Sequence, residues 1–312
     1  MKISCVIVTY NRVELLKENL AAIMSQTYKP DHIYVVNNHS TDNTAEYLEQ
    51  FTDIPNFTVC NLEKNVGGSG GFVYGIKCAI ADGSDYVWIM DDDTIPHPDA
   101  LEQLAKATTL SENIGFLCSK VVWTDGSQHK MNGCGICKPE RKAVSDKYDG
   151  VYGVECYQST FVSTMISAKA VLKVGLPYKE FFIWHDDIEY TDRISNARFM
   201  CYFIEKSVVT HKTARNNKPH IQDTAENDLW KFYYQARNTT FIASMKKPNK
   251  LIYYISIINK YRRYIKNINK IKDKELRKNM KYEVRRGSID GLRFKPKIEY
   301  MDMPNRQADG KK

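Results

Sequence analysis

The sequence predicts an α/β protein on a mostly parallel sheet. Strand-like apolar runs alternate with helical patterns through residues 1–100, and each run ends in a polar cluster. Ile3–Thr9 is a β-branched apolar run of the kind buried on both sheet faces. Residues 12–23 show helical spacing through Val13, Leu15, Leu16, Leu20 and Ile23. A second strand, 32–36, ends at Asn37-Asn38-His39-Ser40, where Ser40 can N-cap a helix running through Ala45, Leu48 and Phe51. A third strand is expected at Phe57–Asn61, and Asn65-Val66-Gly67-Gly68-Ser69-Gly70-Gly71 opens the next helix. A fourth, 86–90, runs into Asp91-Asp92-Asp93. Ligands of parallel sheets sit beyond the carboxyl ends of the strands, so these clusters should meet in one crevice.

Residues 115–205 read as mixed, with strands expected at 116–123, 161–167 and 201–205, the last leading to Val208-Val209-Thr210-His211. The apolar-aromatic run Phe181-Phe182-Ile183-Trp184 precedes an acidic helix start, His185-Asp186-Asp187-Ile188-Glu189. From about residue 225 the pattern is helical, with Gly287 and Gly291 as breaks. The 312 residues, 43% hydrophobic, suffice for a buried core and exclude a disordered chain. No apolar run approaches the ~20 residues of a membrane-spanning helix, and no signal-peptide core is seen, so a cytosolic protein is expected. Its eight cysteines should then be reduced, and Cys134-x-x-Cys137 lacks the second ligand pair of a structural zinc site.

Charge is uneven. Residues 246–312 hold 21 Lys/Arg and 7 Asp/Glu, a net of +14, within a chain whose net charge is +8. The body is therefore mildly acidic and the last fifth basic. Leu251, Tyr254, Ile258, Tyr261, Ile265 and Ile268 follow a 3-4 spacing, with Lys260, Arg263, Lys266 and Lys270 around them. Such a helix either lies on an anionic membrane surface or packs its stripe on the catalytic body or a partner subunit. A nucleic-acid binder would explain the tail, but not ordered acid clusters in an acidic body.

Three clusters carry chemistry. Asp91 and Asp93, two apart in extended chain, should face one point while Asp92 turns away, an arrangement suited to a hard divalent cation. Three adjacent acids after an apolar strand repel unless a cation compensates, which favours that reading over a solvated turn. In the second cluster, Asp187 stands beside an aromatic wall; it reads equally as a helix-capping acid or as a general base. His211, taken alone, is a bystander more often than a ligand. The glycine stretch is neither a Walker loop nor a dinucleotide fingerprint; it offers close backbone approach to a ligand, or merely a flexible turn.

In chain order CVIVTYNR, VVNNHSTDNT, NVGGSGGF, WIMDDDT and FIWHDDIEYTDR resemble the family 2 inverting nucleotide-sugar glycosyltransferases of the GT-A fold. The similarity is greatest to the bacterial galactofuranosyl- and rhamnosyltransferase branch, and YYQARNTTF at 233–241 is in the same style. The resemblance implies a GT-A catalytic domain over 1–245, with a nucleotide-binding half at 1–110 and an acceptor half at 111–245, followed by the basic helical region 246–312. It implies that Thr9, Asn11, Arg12, Asn37, Asn65, Gly67, Gly68 and Asp92 hold the donor. Asn37 stands where many relatives carry an aspartate that contacts the base. Asp91 and Asp93 would hold Mn²⁺ or Mg²⁺, with His211 as a third ligand. Asp187 matches the catalytic base, while Trp184, His185, Asp186 and Glu189 would meet sugar or acceptor. With an ordinary aspartate pKa of about 3.9, Asp187 is expected to be ionised at neutral pH. UDP-galactofuranose is the favoured donor and a dTDP-rhamnose donor the alternative; the implied acceptor is a glycan or lipid-linked glycan of the bacterial cell surface.

Overall fold

The computed structural model describes residues 1–217, 221–222, 224–246 and 249–301. Its first half alternates β1 (Ile3–Thr9), α1 (Val13–Met24), β2 (His32–Asn37), α2 (Thr44–Glu49), β3 (Phe57–Asn61), α3 (Gly67–Ala81) and β4 (Tyr86–Asp91). The short β5 (Thr94–Pro96), α4 (Ala100–Ala107) and β6 (Ile114–Val122) follow, then β7 (Gly135–Ile136), β8 (Lys142–Val144), β9 (Tyr152–Gln158) and β10 (Thr164–Ser167). Next come α5 (Ala168–Val174), α6 (Asp186–Asn196) and β11 (Met200–His211), and the chain closes with α7 (Leu229–Lys246), α8 (Lys250–Ile268) and α9 (Lys274–Arg293).

The strand order is β3-β2-β1-β4-β10-β6-β11-β9-β7, with β5 paired to β11 and β8 to β9. β1 to β4 are mutually parallel, as are β6 and β11, whereas β10, β9 and β5 run against their neighbours. β1 is buried along its whole length, as its continuous apolar run demands. Ile3, Cys5 and Ile7 pack on one face with Leu16 and Leu20 of α1, Leu48 of α2 and Leu104 of α4. Val6 and Val8 join the other, with Phe72 and Ile76 of α3, Val171 of α5 and Ile194 of α6. A shift of one residue would swap the two sets.

The expected strands at 116–123, 161–167 and 201–205 correspond to β6, to the shorter β10 and to β11, which runs on to His211 with a register shift between Ile204 and Val208. Ser40 does not cap α2. Its hydroxyl accepts from the Asn11 amide at 3.0 Å, and Asp42 instead accepts from the Thr44 amide at 3.1 Å, so the helix starts later. Nor do Gly287 and Gly291 break a helix: both lie inside α9, where a Cβ on Gly287 would stand 2.2 Å from the Tyr233 carbonyl oxygen and one on Gly291 2.7 Å from that of Arg237. They are there to let α9 close on α7. The predicted α8 stripe divides. Tyr261, Ile265 and Ile268 join the core with α7 and α9, while Leu251, Tyr254 and Ile258 are exposed.

Candidate functional site

Register brings the polar strand ends together. Thr9 lies beside Asn37, Asn37 beside Asn61, and Val8 beside Asp91, so β1, β2, β3 and β4 end level. From the other half, β11 returns His211 opposite Thr94 through its pairing with β5. The four clusters following β1, β2, β4 and β11 therefore line one end of the sheet.

Asp91 closes β4 and the chain turns at Asp92 and Asp93, so strand alternation stops there. This corrects the expected geometry: Asp92 does not turn away. It accepts from the Thr9 hydroxyl at 2.8 Å, and it shares the Arg12 guanidinium with Asp93, at 3.4 and 2.7 Å respectively. Burial works to raise Asp93, but its hydrogen bond with His211, the His211 charge and Arg12 outweigh it and leave that carboxyl below its ordinary value. Asp92 rises to about 6, chiefly through burial. Asp91 is driven well above the usual carboxylate range by burial, then by Asp93 and Asp92.

His211 Nε2 stands 3.0 Å from Asp93 Oδ1, and its Nδ1 is 2.8 Å from Asn132 Oδ1. An amide oxygen only accepts, so Nδ1 carries a hydrogen and Nε2 is the nitrogen turned to the acids. Asn132 is itself anchored by donating to Thr160 Oγ1 at 3.1 Å.

Among the described residues no three His, Cys, Asp or Glu side chains are already drawn together as a cation site. The chemistry of the donor set still suits Mg²⁺ or Mn²⁺, since carboxylate oxygens and an imidazole nitrogen are the ligands those ions accept. Asp91 is the observation behind the fit: it is half-buried beside the buried Asp92 and Asp93, whose carboxyls raise it, while Arg12 is engaged with those two.

The donor-side residues build loops as well as face the crevice. Asn11, at φ 55°, accepts from the Thr41 amide at 2.6 Å and ties the β1–α1 loop to the β2–α2 loop. Asn37 spends its amide on Asn61 (2.8 Å) and on the Ser40 N–H (3.0 Å), which leaves less for a base than the resemblance implies. Asn65 accepts from Asn38 and from the Gly67 N–H. Gly67, at φ +76°, sits where any Cβ would strike the Phe182 carbonyl, and a Cβ on Gly71 would strike Val8. These two glycines therefore serve packing of α3 first. Gly68 has open space where a side chain would stand.

Residues 178–185 form the opposite wall. Phe182, Trp184 and His185 all take positive φ, a strained path that needs outside support. Asn238 of α7 gives it, donating to the carbonyls of Phe181, Ile183 and Trp184 at 3.0, 3.2 and 2.9 Å. Ser69 of α3 holds the near side through the Tyr178 and Phe182 carbonyls. Asp186 and Asp187 then open α6. Burial, and next the Asp186 carboxyl, raise Asp187 above the ordinary carboxylate range. The expectation that it is already ionised at neutral pH is thus corrected. Asp186, only 7% exposed, is raised by burial and acts in turn on Asp91, so the two acidic clusters feel each other.

Two acceptor-side expectations change. Glu189 is buried in a bidentate pair with Arg193, both bonds 3.0 Å, because Arg193 also caps the Val174 and Leu176 carbonyls. Trp184 turns its ring edgewise to Phe232 (5.4 Å) in the helical core, leaving Phe182, stacked on Tyr234 at 4.8 Å, as the aromatic nearer Gly67. Asn38, Asn132 and Asn238 are the residues sequence reasoning missed. Asn238 lay within a noted motif; Asn132 carried no local signal.

Comparison with known proteins is consistent with this geometry. The family described as Glycosyl transferase family 2 matches residues 4–156, which takes in the Asp91–Asp93 turn and stops before Asp187. Galactofuranosyltransferase GlfT1 of Mycobacterium tuberculosis is 37% identical over 204 residues, 61% of this chain and 63% of that protein. The Mycolicibacterium smegmatis protein of the same name is 28% identical over 207 residues, 62% and 65% respectively. The chain thus spans just under two thirds of the length of these relatives. Among solved structures, S. aureus TarS in complex with UDP has a TM-score of 0.52 at 17% identity, covering 76% of this chain and 64% of that one. GalNAc-T7 with UDP, GalNAc and Mn²⁺ has a TM-score of 0.56 at 14% identity, covering 77% and 51%. On a GT-A architecture, and with similarity running to galactofuranosyltransferases, residues 4–156 of the chain thus form a glycosyl transferase family 2 domain.

Proposed function

We propose that this chain is an inverting glycosyltransferase that moves galactofuranose from UDP-galactofuranose to a hydroxyl of a glycan or lipid-linked glycan in bacterial cell-surface synthesis. The observation that supports it most is the placement of Asp187, a carboxyl with raised proton affinity, at a crevice whose other wall is the Asp91–Asp93 turn with Arg12 and His211. The matched galactofuranosyltransferases favour the donor.

Asp187 takes the proton of the acceptor hydroxyl as its oxygen bonds to the anomeric carbon. Attack comes from the face opposite the diphosphate; the bond to the diphosphate breaks with its electron pair, and the anomeric configuration inverts in one displacement. Strained backbone at 182–185, held by Asn238 and Ser69, fixes where Asp187 points. Thr9 and Asp92 keep Arg12 at the donor side. Asp91, Asp93 and His211 would hold a divalent cation, which when bound supplies positive charge against the departing diphosphate.

The exposed first half of α8 supports a place at a membrane surface: Leu251, Ile252, Tyr254, Ile255 and Ile258 stand open beside Lys250, Arg262 and Lys266. No helix among the described residues is long and apolar enough to cross a membrane.

A donor panel with Mn²⁺ or Mg²⁺, scoring release of nucleoside diphosphate, tests the proposal. UDP-galactofuranose should give metal-dependent release that exceeds dTDP-rhamnose and the UDP-hexopyranoses. Equal inertness of all donors would overturn it.

A further inference from the structure

Lys260, Arg263, Tyr264 and Asn267 lie at helical spacing on one face of α8 and line a cavity of about 360 Å³. Tyr264 is held there by packing against the core that α8 shares with α7 and α9. Two cations one turn apart repel, and among the described residues no carboxylate offsets Lys260. Burial, then Arg263, pushes the Lys260 ammonium down to about 8. A partly buried ammonium held beside a second cation is costly unless something anionic completes the group. The cavity lies on the same side as the 178–185 wall: Trp184 of that wall and Tyr264 of the cavity pack on one helical core, and Lys260, second to burial, lowers His185, which directly precedes Asp186 and Asp187. An ammonium, a guanidinium fork, a phenol and an amide suit a tetrahedral oxyanion with several acceptor oxygens.

We propose that this cavity binds a phosphate or diphosphate ester carried by the acceptor, anchoring it beside the loop that bears Asp187. The ligand's role rests on the acceptor function proposed above; its binding does not, and is measured without turnover.

The test titrates metal-free protein with octyl phosphate, inorganic phosphate and neutral octyl glucoside, the octyl compounds below their micelle concentrations, by calorimetry. The wild type should bind octyl phosphate more tightly than either comparator. Lys260→Gln/Arg263→Gln should weaken that binding about tenfold or more, since it removes both charge-assisted hydrogen bonds to the oxyanion. Arg263→Gln alone, at an exposed position, should weaken it in the same direction without threatening the fold. Equal affinity in wild type and variants would overturn the site, and inorganic phosphate binding as tightly as octyl phosphate would overturn the ester.

Discussion

Asp187 shows how one residue's environment decides its chemistry. An exposed aspartate titrates near 3.9, but burial and the Asp186 carboxyl favour the protonated form here. A base works only when deprotonated, so kcat should rise with pH through a limb above the ordinary carboxylate range and level off beyond it. Asp186→Asn removes the second cause of the rise and should move that limb to lower pH; a pH–rate profile of both proteins checks this, and coincident limbs would remove Asp186 from the account. The sequence showed Asp187 and its acidic neighbours, but not the burial that changes its titration, because the fold of the preceding 178–185 loop is held by Asn238 and Ser69, both distant in the chain. Asn132 is a sharper case. Nothing around Met131-Asn132-Gly133 marks it, yet it fixes the ring of His211 from 79 residues away. Asn132→Ala should weaken Mn²⁺ binding about 10–100-fold, as loss of a partner behind a ligating histidine does; a Mn²⁺ titration followed by electron paramagnetic resonance reads it directly.

Among the elements, those with a single strong period were legible. β1 to β4 and α1 follow from apolar spacing alone, and their polar ends predicted the crevice. Elements shaped by partners were not. The glycines of α9 looked like breaks because glycine is a poor helix former in isolation; against α7 they are what permits contact. Gly287→Ala places a methyl on the Tyr233 carbonyl and should cost about 1–3 kcal/mol as overpacking, read as a lower Tm with α-helical content retained. Asn238→Ala removes the amide donor shared by the Phe181, Ile183 and Trp184 carbonyls, of which Phe181 keeps Arg237 and the Ile183 N–H, and should lose about 1–3 kcal/mol. It should also lower kcat more than it weakens donor binding, because the turn aims Asp187. Thermal melts with steady-state kinetics separate the two effects.

For the whole molecule, the sheet joins two halves through antiparallel β10, so that a cleft forms between the β1–β4 ends and the α6–β11 segment. Charge follows the same division, with acids in the cleft and cations on α8 and α9. The sequence anticipated that polarity but not its split on α8, where half the apolar stripe is core and half stands open. Replacing Leu251, Ile255 and Ile258 together by Ser should reduce binding to phosphatidylglycerol vesicles about tenfold or more in a flotation assay, leaving nucleotide affinity unchanged. The most direct measurement of all compares wild type with Asp187→Asn in parallel assays of sugar transfer from UDP-galactofuranose and of UDP binding by calorimetry. Transfer should fall about 100-fold or more while UDP affinity stays within about twofold. Transfer at the wild-type rate would contradict the proton-accepting carboxyl on which the mechanism depends.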